Sequence, residues 1–157
     1  IYCRPVNRFV AGFVGKPPMN FLHGRVLAEG GHLYFPVGSG RIRLPGRLHA
    51  CLAGRVNRPM VLGVRPEGLS CSHDGVCEEN RLDVVVSTVE MLGDHQQVTA
   101  RTSGGDSVVC RVDADRRILD GMHLPLYLNP DQVHVFEPGD EGVNVSCGDR
   151  ASATQLV

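Results

Sequence analysis

The chain has 157 residues with 19 glycines, 10 prolines and no tryptophan, and its interspersed charges sum to −1. A chain of this length buries about two-thirds of the surface its unfolded form exposes, enough for one domain or two small intimate ones without a metal or a disulfide. Near-neutral charge, no basic face and 5% aromatics exclude a nucleic-acid groove, and no apolar run approaches the roughly 20 residues that span a bilayer.

Residues 5–18 predict one short helix. Asn7 is an N-cap, and Phe9, Val10, Phe13 and Val14 form an apolar stripe of helical period. Gly15 and Pro17-Pro18 stop it. Strands follow. Met19–Ala28 and His32–Phe35 flank the turn Glu29-Gly30-Gly31, and Arg41–Leu44 alternates after Val37-Gly38-Ser39-Gly40. Residues 47–56 are expected to form a short helix, with Leu48, Cys51 and Leu52 on one side. Met60–Val64 is a short apolar run, and 70–80 has the polar, aperiodic character of an exposed loop. Leu82–Leu92 is a long β-branched strand. Gln97–Arg101 and Ser107–Val112 flank Thr102-Ser-Gly-Gly-Asp106 as a hairpin. Leu124, Leu126 and Leu128 alternate around Pro125, which predicts an edge strand or an unpaired side there. Val133–Phe136 is the last strand, and the polar tail after Glu137 is expected to be disordered. The pattern is one helix and two successive strand sets, which suggests two small barrel-like units.

The chain lacks an initiator Met, and Ile1-Tyr2-Cys3-Arg4-Pro5 has no signal-peptide pattern. We therefore expect a segment that begins inside a longer, cytosolic protein. Cys3, Cys51, Cys71, Cys77, Cys110 and Cys147 are irregularly spaced, as free thiols in a reducing compartment are. Cys71, His73 and Cys77 give three soft ligands where structural zinc takes four, so no metal is expected.

No phosphate-binding loop G-x-x-x-x-G-K-[ST] occurs, and neither G-x-S-x-G nor H-E-x-x-H is present. Gly38-Ser39-Gly40 reads as a hairpin turn. The seven histidines are scattered singly, and Asp113, Asp115 and Asp120 surround Arg116-Arg117 in a solvated connection. No residue is assigned to catalysis, cofactor binding or metal ligation.

Four stretches in order resemble one family. They are Arg8–Gly15 with Pro18–Leu22, Val61-Leu-Gly-Val-Arg-Pro-Glu67, Val89-Glu-Met-Leu-Gly93, and Gly121 followed by Leu128–Phe136. The chain resembles the C-terminal regulatory part, the transport-associated OB (TOBE) domain, of ATP-binding subunits in maltose- and glycerol-3-phosphate-type ABC importers. The resemblance implies a mostly β fold of tandem, intertwined OB-like barrels with one short N-terminal helix. Residues 1–18 would be the end of the nucleotide-binding domain or its hinge. The regulatory domain would be 19–137, in halves of about 19–69 and 81–137, with 138–157 as a tail. Gly63, Arg65, Pro66, Glu67, Glu90, Leu92, Gly93, Gly121 and Phe136 are the family-signature positions.

The resemblance also implies a function. The chain would be non-catalytic, with ATP and Mg expected in the nucleotide-binding domain instead. Its expected partners are that domain, a second copy of the subunit in a homodimer, the permease subunits, and a regulatory protein or small effector. It would work in the cytoplasm at the inner face of the membrane. The alternative is an OB module that binds a small ligand, an oxyanion or a sugar.

Overall fold

The computed structural model describes residues 6–13, 18–72, 80–139 and 141–147. Helix α1 is Arg8–Phe13, and Asn7 caps it as expected, its side-chain Oδ1 accepting from the Val10 N–H at 2.9 Å. The expected end of that helix at Gly15 lies outside the described residues.

Among the described residues, eleven strands follow in three antiparallel sheets. The first sheet has the order β1-β5-β11, formed by Asn20–Arg25, Pro59–Val64 and Val133–Phe136. Leu22, Leu62, Val64, Val133 and Val135 point into the main core from this sheet. Its opposite face carries Val61 and Phe136, which pack with Met19 and with Ala11 of α1. Burial on both faces explains why the centre of β5 is apolar at every position, since a half-exposed strand alternates.

The second sheet is the meander β2-β3-β4, formed by Leu27–Glu29, His32–Val37 and Gly40–Arg43. The expected strand 19–28 is broken at Val26, whose side chain is fully buried, and the chain then enters a different sheet. The Gly30-Gly31 turn is as expected, with both residues at positive φ. Residues 46–55 form the short helical segment expected there. It is two 3-10 turns around α2, His49–Leu52, and it buries Leu48 and Leu52.

The third sheet runs β6-β10-β7-β8-β9, that is Leu69–Ser70, His123–Leu128, Arg81–Met91, His95–Thr102 and Ser107–Asp113. The hairpin β8–β9 closes as expected, with the Thr102 N–H donating to the Asp106 carbonyl at 2.9 Å. Strand β7 alternates buried and exposed through Val86, where a bulge shifts the register to Thr88. Beyond it Val89 still packs against the core, and Glu90 and Met91 project into solvent. Pro125 lies on an interior strand. However, β6 pairs only with Tyr127 and Leu128, so among the described residues no strand pairs with Pro125 on the β6 side and its missing N–H breaks no ladder bond there.

One continuous core runs from Leu22 and Phe35 through Leu82 and Val98 to Leu126 and Val135. The two halves are interlaced, because β11 pairs with β5 across the whole chain. The fold class is thus the expected one: mostly β, tandem and intertwined. The expectation of a disordered tail is corrected for residues 141–147. Val143 and Asn144 bridge back to Asn7 and Phe136, and Asn144 and Val145 are buried. The Asn144 N–H donates to the Val6 carbonyl at 2.8 Å. The Val6 carbonyl and the Arg8 N–H, at the start of α1, thereby gain backbone partners from this segment.

Candidate functional site

The signature positions fall in three places. Gly63 is in the middle of β5. A Cβ there would lie 2.6 Å from Met19 Sδ and 2.6 Å from the Phe136 ring, so only glycine lets both close over the strand. Phe136 is fully buried and meets Phe21 edge-on at 5.8 Å, while the Arg8 guanidinium sits 4.8 Å above the Phe21 ring. Arg65 and Pro66 are buried at the end of the strand, where Pro66 opens a 3-10 turn, and Glu67 is exposed on it.

Glu90, Leu92 and Gly93 sit at the projecting end of the β7–β8 hairpin, where Met91 is 59% and Leu92 43% exposed. Gly93 has φ +93°, which this turn requires. Beside it His95 Nδ1 lies 2.7 Å from the Asp94 carboxylate, a hydrogen bond that holds Asp94 below the usual carboxylate range. Gly121 is at the bulge, its N–H donating to the Val86 carbonyl at 2.8 Å. The fold therefore does not gather the nine positions into one pocket.

The polar groups it does gather lie on the seam between the halves. Asn20, 5% exposed, donates from its amide to the Val109 carbonyl at 2.9 Å and accepts from the Val109 N–H at 2.8 Å. One side chain thus satisfies a residue of the β9 edge as a further strand would. The His23 backbone N–H and ring Nδ1 meet the Asp106 carboxylate at 3.2 and 2.9 Å. Ser103 Oγ accepts from the Ser39 N–H at 2.9 Å, and Asn80 Oδ1 from the Arg43 N–H at 2.8 Å. Sequence reasoning missed these residues. Asn20 left one signal: it shares the inward phase of Leu22, where a polar side chain needs a partner.

An open cleft of about 430 Å³ adjoins the seam. Arg43, His32, His49 and Asn80 line it, none of its lining residues among the described ones is acidic, and Pro130 forms part of its rim. Arg43 Nη2 is 3.0 Å from one His32 ring nitrogen and 3.1 Å from the other. Arg47 anchors the rim by donating to the carbonyls of Asp131 and Val133 at 3.2 and 3.1 Å. Among the described residues no group of three or more Cys, His, Asp or Glu could hold a metal ion, and no helix is long and apolar enough to cross a membrane.

Comparison with known proteins agrees with this architecture. Residues 15–69 match the model of the MalK OB fold domain, and residues 62–136 match that of the TOBE domain. The trehalose/maltose import ATP-binding protein MalK of Thermococcus litoralis is 33% identical over 142 residues, which is 87% of this chain and 37% of that protein. The sn-glycerol-3-phosphate import ATP-binding protein UgpC of Escherichia coli K12 is 35% identical over 145 residues, 92% of this chain and 38% of that protein. The chain therefore spans under two-fifths of these relatives. Among solved structures, the cytoplasmic molybdate-binding protein ModG with molybdate bound superposes with a TM-score of 0.57, at 16% identity, over 76% of this chain and 96% of that one. That likeness is one of fold. Two consecutive family matches that meet at β5, on a chain whose two halves share that strand's sheet, make this chain a member of the TOBE and MalK-type OB domain family.

Proposed function

We propose that the chain is the non-catalytic, C-terminal regulatory and dimerisation domain of the ATP-binding subunit of an ABC importer for a carbohydrate or glycerol phosphate. The observation that carries this reading is the reach of the similarity. Nearly the whole chain aligns with import ATP-binding proteins more than twice its length, and the chain itself has no phosphate-binding loop. ATP and Mg belong to the nucleotide-binding domain of the parent subunit, which works in the cytoplasm at the inner face of the membrane with its permease. Two exposed apolar surfaces support contacts of this kind. Val6, Phe9 and Val143 surround α1, on the side a nucleotide-binding domain would occupy, and Met91 and Leu92 project from the hairpin end. In such a domain a regulatory protein or effector acts by linkage: it shifts the cycle toward the dimer geometry it binds better.

Titration calorimetry of the chain with Mg-ATP tests the reading. No binding is expected, and micromolar affinity overturns it. Sedimentation of the parent subunit is expected to give a dimer that weakens when this chain is removed.

A second reading is a module that binds a small oxyanion or sugar. The cleft that Arg43, His32 and His49 line favours it, as does the fold shared with a molybdate-binding protein. A thermal-shift panel of molybdate, sulfate, phosphate and maltose decides. Stabilisation that is lost in Arg43→Ala supports the second reading, and no shift with any of them overturns it.

A further inference from the structure

Cys71 and Cys110 sit where the second barrel closes. In the sheet β6-β10-β7-β8-β9 the strands β6 and β9 are the two edges, and no ladder pairs them. The sheet curls until those edges lie against each other. Cys71 follows β6 directly, and Cys110 points inward from the middle of β9, between Val108 and Val112. Cys110 is 1% exposed, and Cys71 is half-buried against the same core. Both are free thiols, Cys71 packs against the core cluster that holds Cys110, and each thiol shifts the titration of the other.

We propose that Cys71 and Cys110 are a peroxide-reactive dithiol whose oxidation to a disulfide locks the seam of the second barrel. The division of labour follows from their surroundings. The hydrogen bond from Cys110 lowers the Cys71 thiol to about 7, against the opposing effect of burial; Arg116 assists and Asp113 opposes. Cys71 is therefore part thiolate at neutral pH, and the thiolate is the nucleophile. The same hydrogen bond, with burial, pushes the Cys110 thiol far up, so Cys110 keeps its proton. Cys71 attacks one peroxide oxygen. An S–O bond forms, the O–O bond breaks, and the departing hydroxide takes up a proton to leave as water. The product is a Cys71 sulfenic acid. It carries no charge, so the repulsion that held Cys110 protonated is relieved. The Cys110 sulfur then attacks the Cys71 sulfur and gives up its proton. The S–S bond forms, the S–O bond breaks, and a second water leaves. The two thiols lose two electrons and two protons, and the peroxide takes up both.

The test treats the full chain with hydrogen peroxide at neutral pH under native conditions, blocks the remaining thiols, and maps peptides without reductant. A linked Cys71–Cys110 peptide that dithiothreitol releases is expected. Cys110→Ala is expected to stop at a Cys71 sulfenic acid that dimedone traps. Cys71→Ser should lower the oxidation rate of Cys110 at least roughly tenfold, since the buried thiol is left without a thiolate partner. A link from Cys71 to Cys77, over-oxidation of Cys71 with Cys110 still free, or unchanged oxidation of Cys110 in Cys71→Ser overturns the proposal. Circular dichroism verifies the fold of each variant, and Cys110→Val replaces Cys110→Ala if the smaller side chain does not fold. Alkylation by iodoacetamide is a second readout. Its rate at Cys71 should rise with pH through a midpoint of about 7, and that midpoint should move up toward the ordinary thiol value in Cys110→Val. An unmoved midpoint also overturns the pairing.

Discussion

Gly63 and Asn20 make opposite demands on the first sheet. The Cβ of a Gly63→Ala variant would enter space held by Met19 and Phe136. Methionine can bend away, but the fully buried Phe136 ring cannot without opening the small core under α1. A loss of about 1–3 kcal/mol is expected from this overpacking, read as a lower urea midpoint at unchanged slope. Asn20 is the reverse case, a side chain whose removal leaves others unpaired. Asn20→Ala strands both the N–H and the carbonyl of Val109, at about 1–3 kcal/mol for buried groups. Asp106→Ala, which removes the exposed contact to His23, is expected to cost under about 1 kcal/mol by the same measurement. The two variants together test whether the halves are held by the buried amide or by the His23–Asp106 hydrogen bonds at the surface. The role of Gly63 was visible only as a family resemblance, because no local pattern announces which side chains from remote elements close over a strand.

The elements differ in how openly the sequence declares them. The hairpin β8–β9 could be read directly, since Thr102–Asp106 supplies turn residues between two alternating runs. Strand β6 could not: two residues have no periodicity, and their pairing with Tyr127 and Leu128 is a long-range event. The break at Val26 was hidden for a related reason. An apolar phase continues through it although the strand changes sheet. The segment 141–147 has only Val143 and Val145 as an alternating pair, too short a run to look ordered, yet its backbone bonds hold the helix. The Arg8 N–H donates to the Gly142 carbonyl at 3.0 Å, and Arg8 Nη1 to the Gly139 carbonyl at 2.8 Å. Truncation after Glu137 is therefore expected to abolish hydrogen-exchange protection of α1, a helix too short to persist alone. The β8–β9 hairpin should keep its protection. If the α1 amides stay as protected as before, the segment has no such role.

For the molecule as a whole, the shared core and the β5–β11 pairing join what the sequence presents as two successive units. Either half alone would expose one side of the first sheet. Calorimetry is expected to give one transition, with the van't Hoff and calorimetric enthalpies equal. Two resolved transitions would mean that the barrels are independent. The thiol pair at the second seam is the feature least visible in the sequence. Cys71 and Cys110 are remote in the chain, and only curling of the sheet brings its first and last strands together.

The pairing of β11 with β5 also bears on how the chain is made. Strand β5 lies between β1, already synthesised, and β11, whose residues Val133–Phe136 emerge long afterwards. Until then a nascent chain presents the bare edge of β5, the apolar run Met60–Val64, to whatever else is nearby. Contacts of such long sequence separation form late and slowly. A ribosome that stalls beyond residue 64 but before residue 133 therefore holds a sticky, unclosed sheet. This domain should depend on holding factors during translation far more than its size implies.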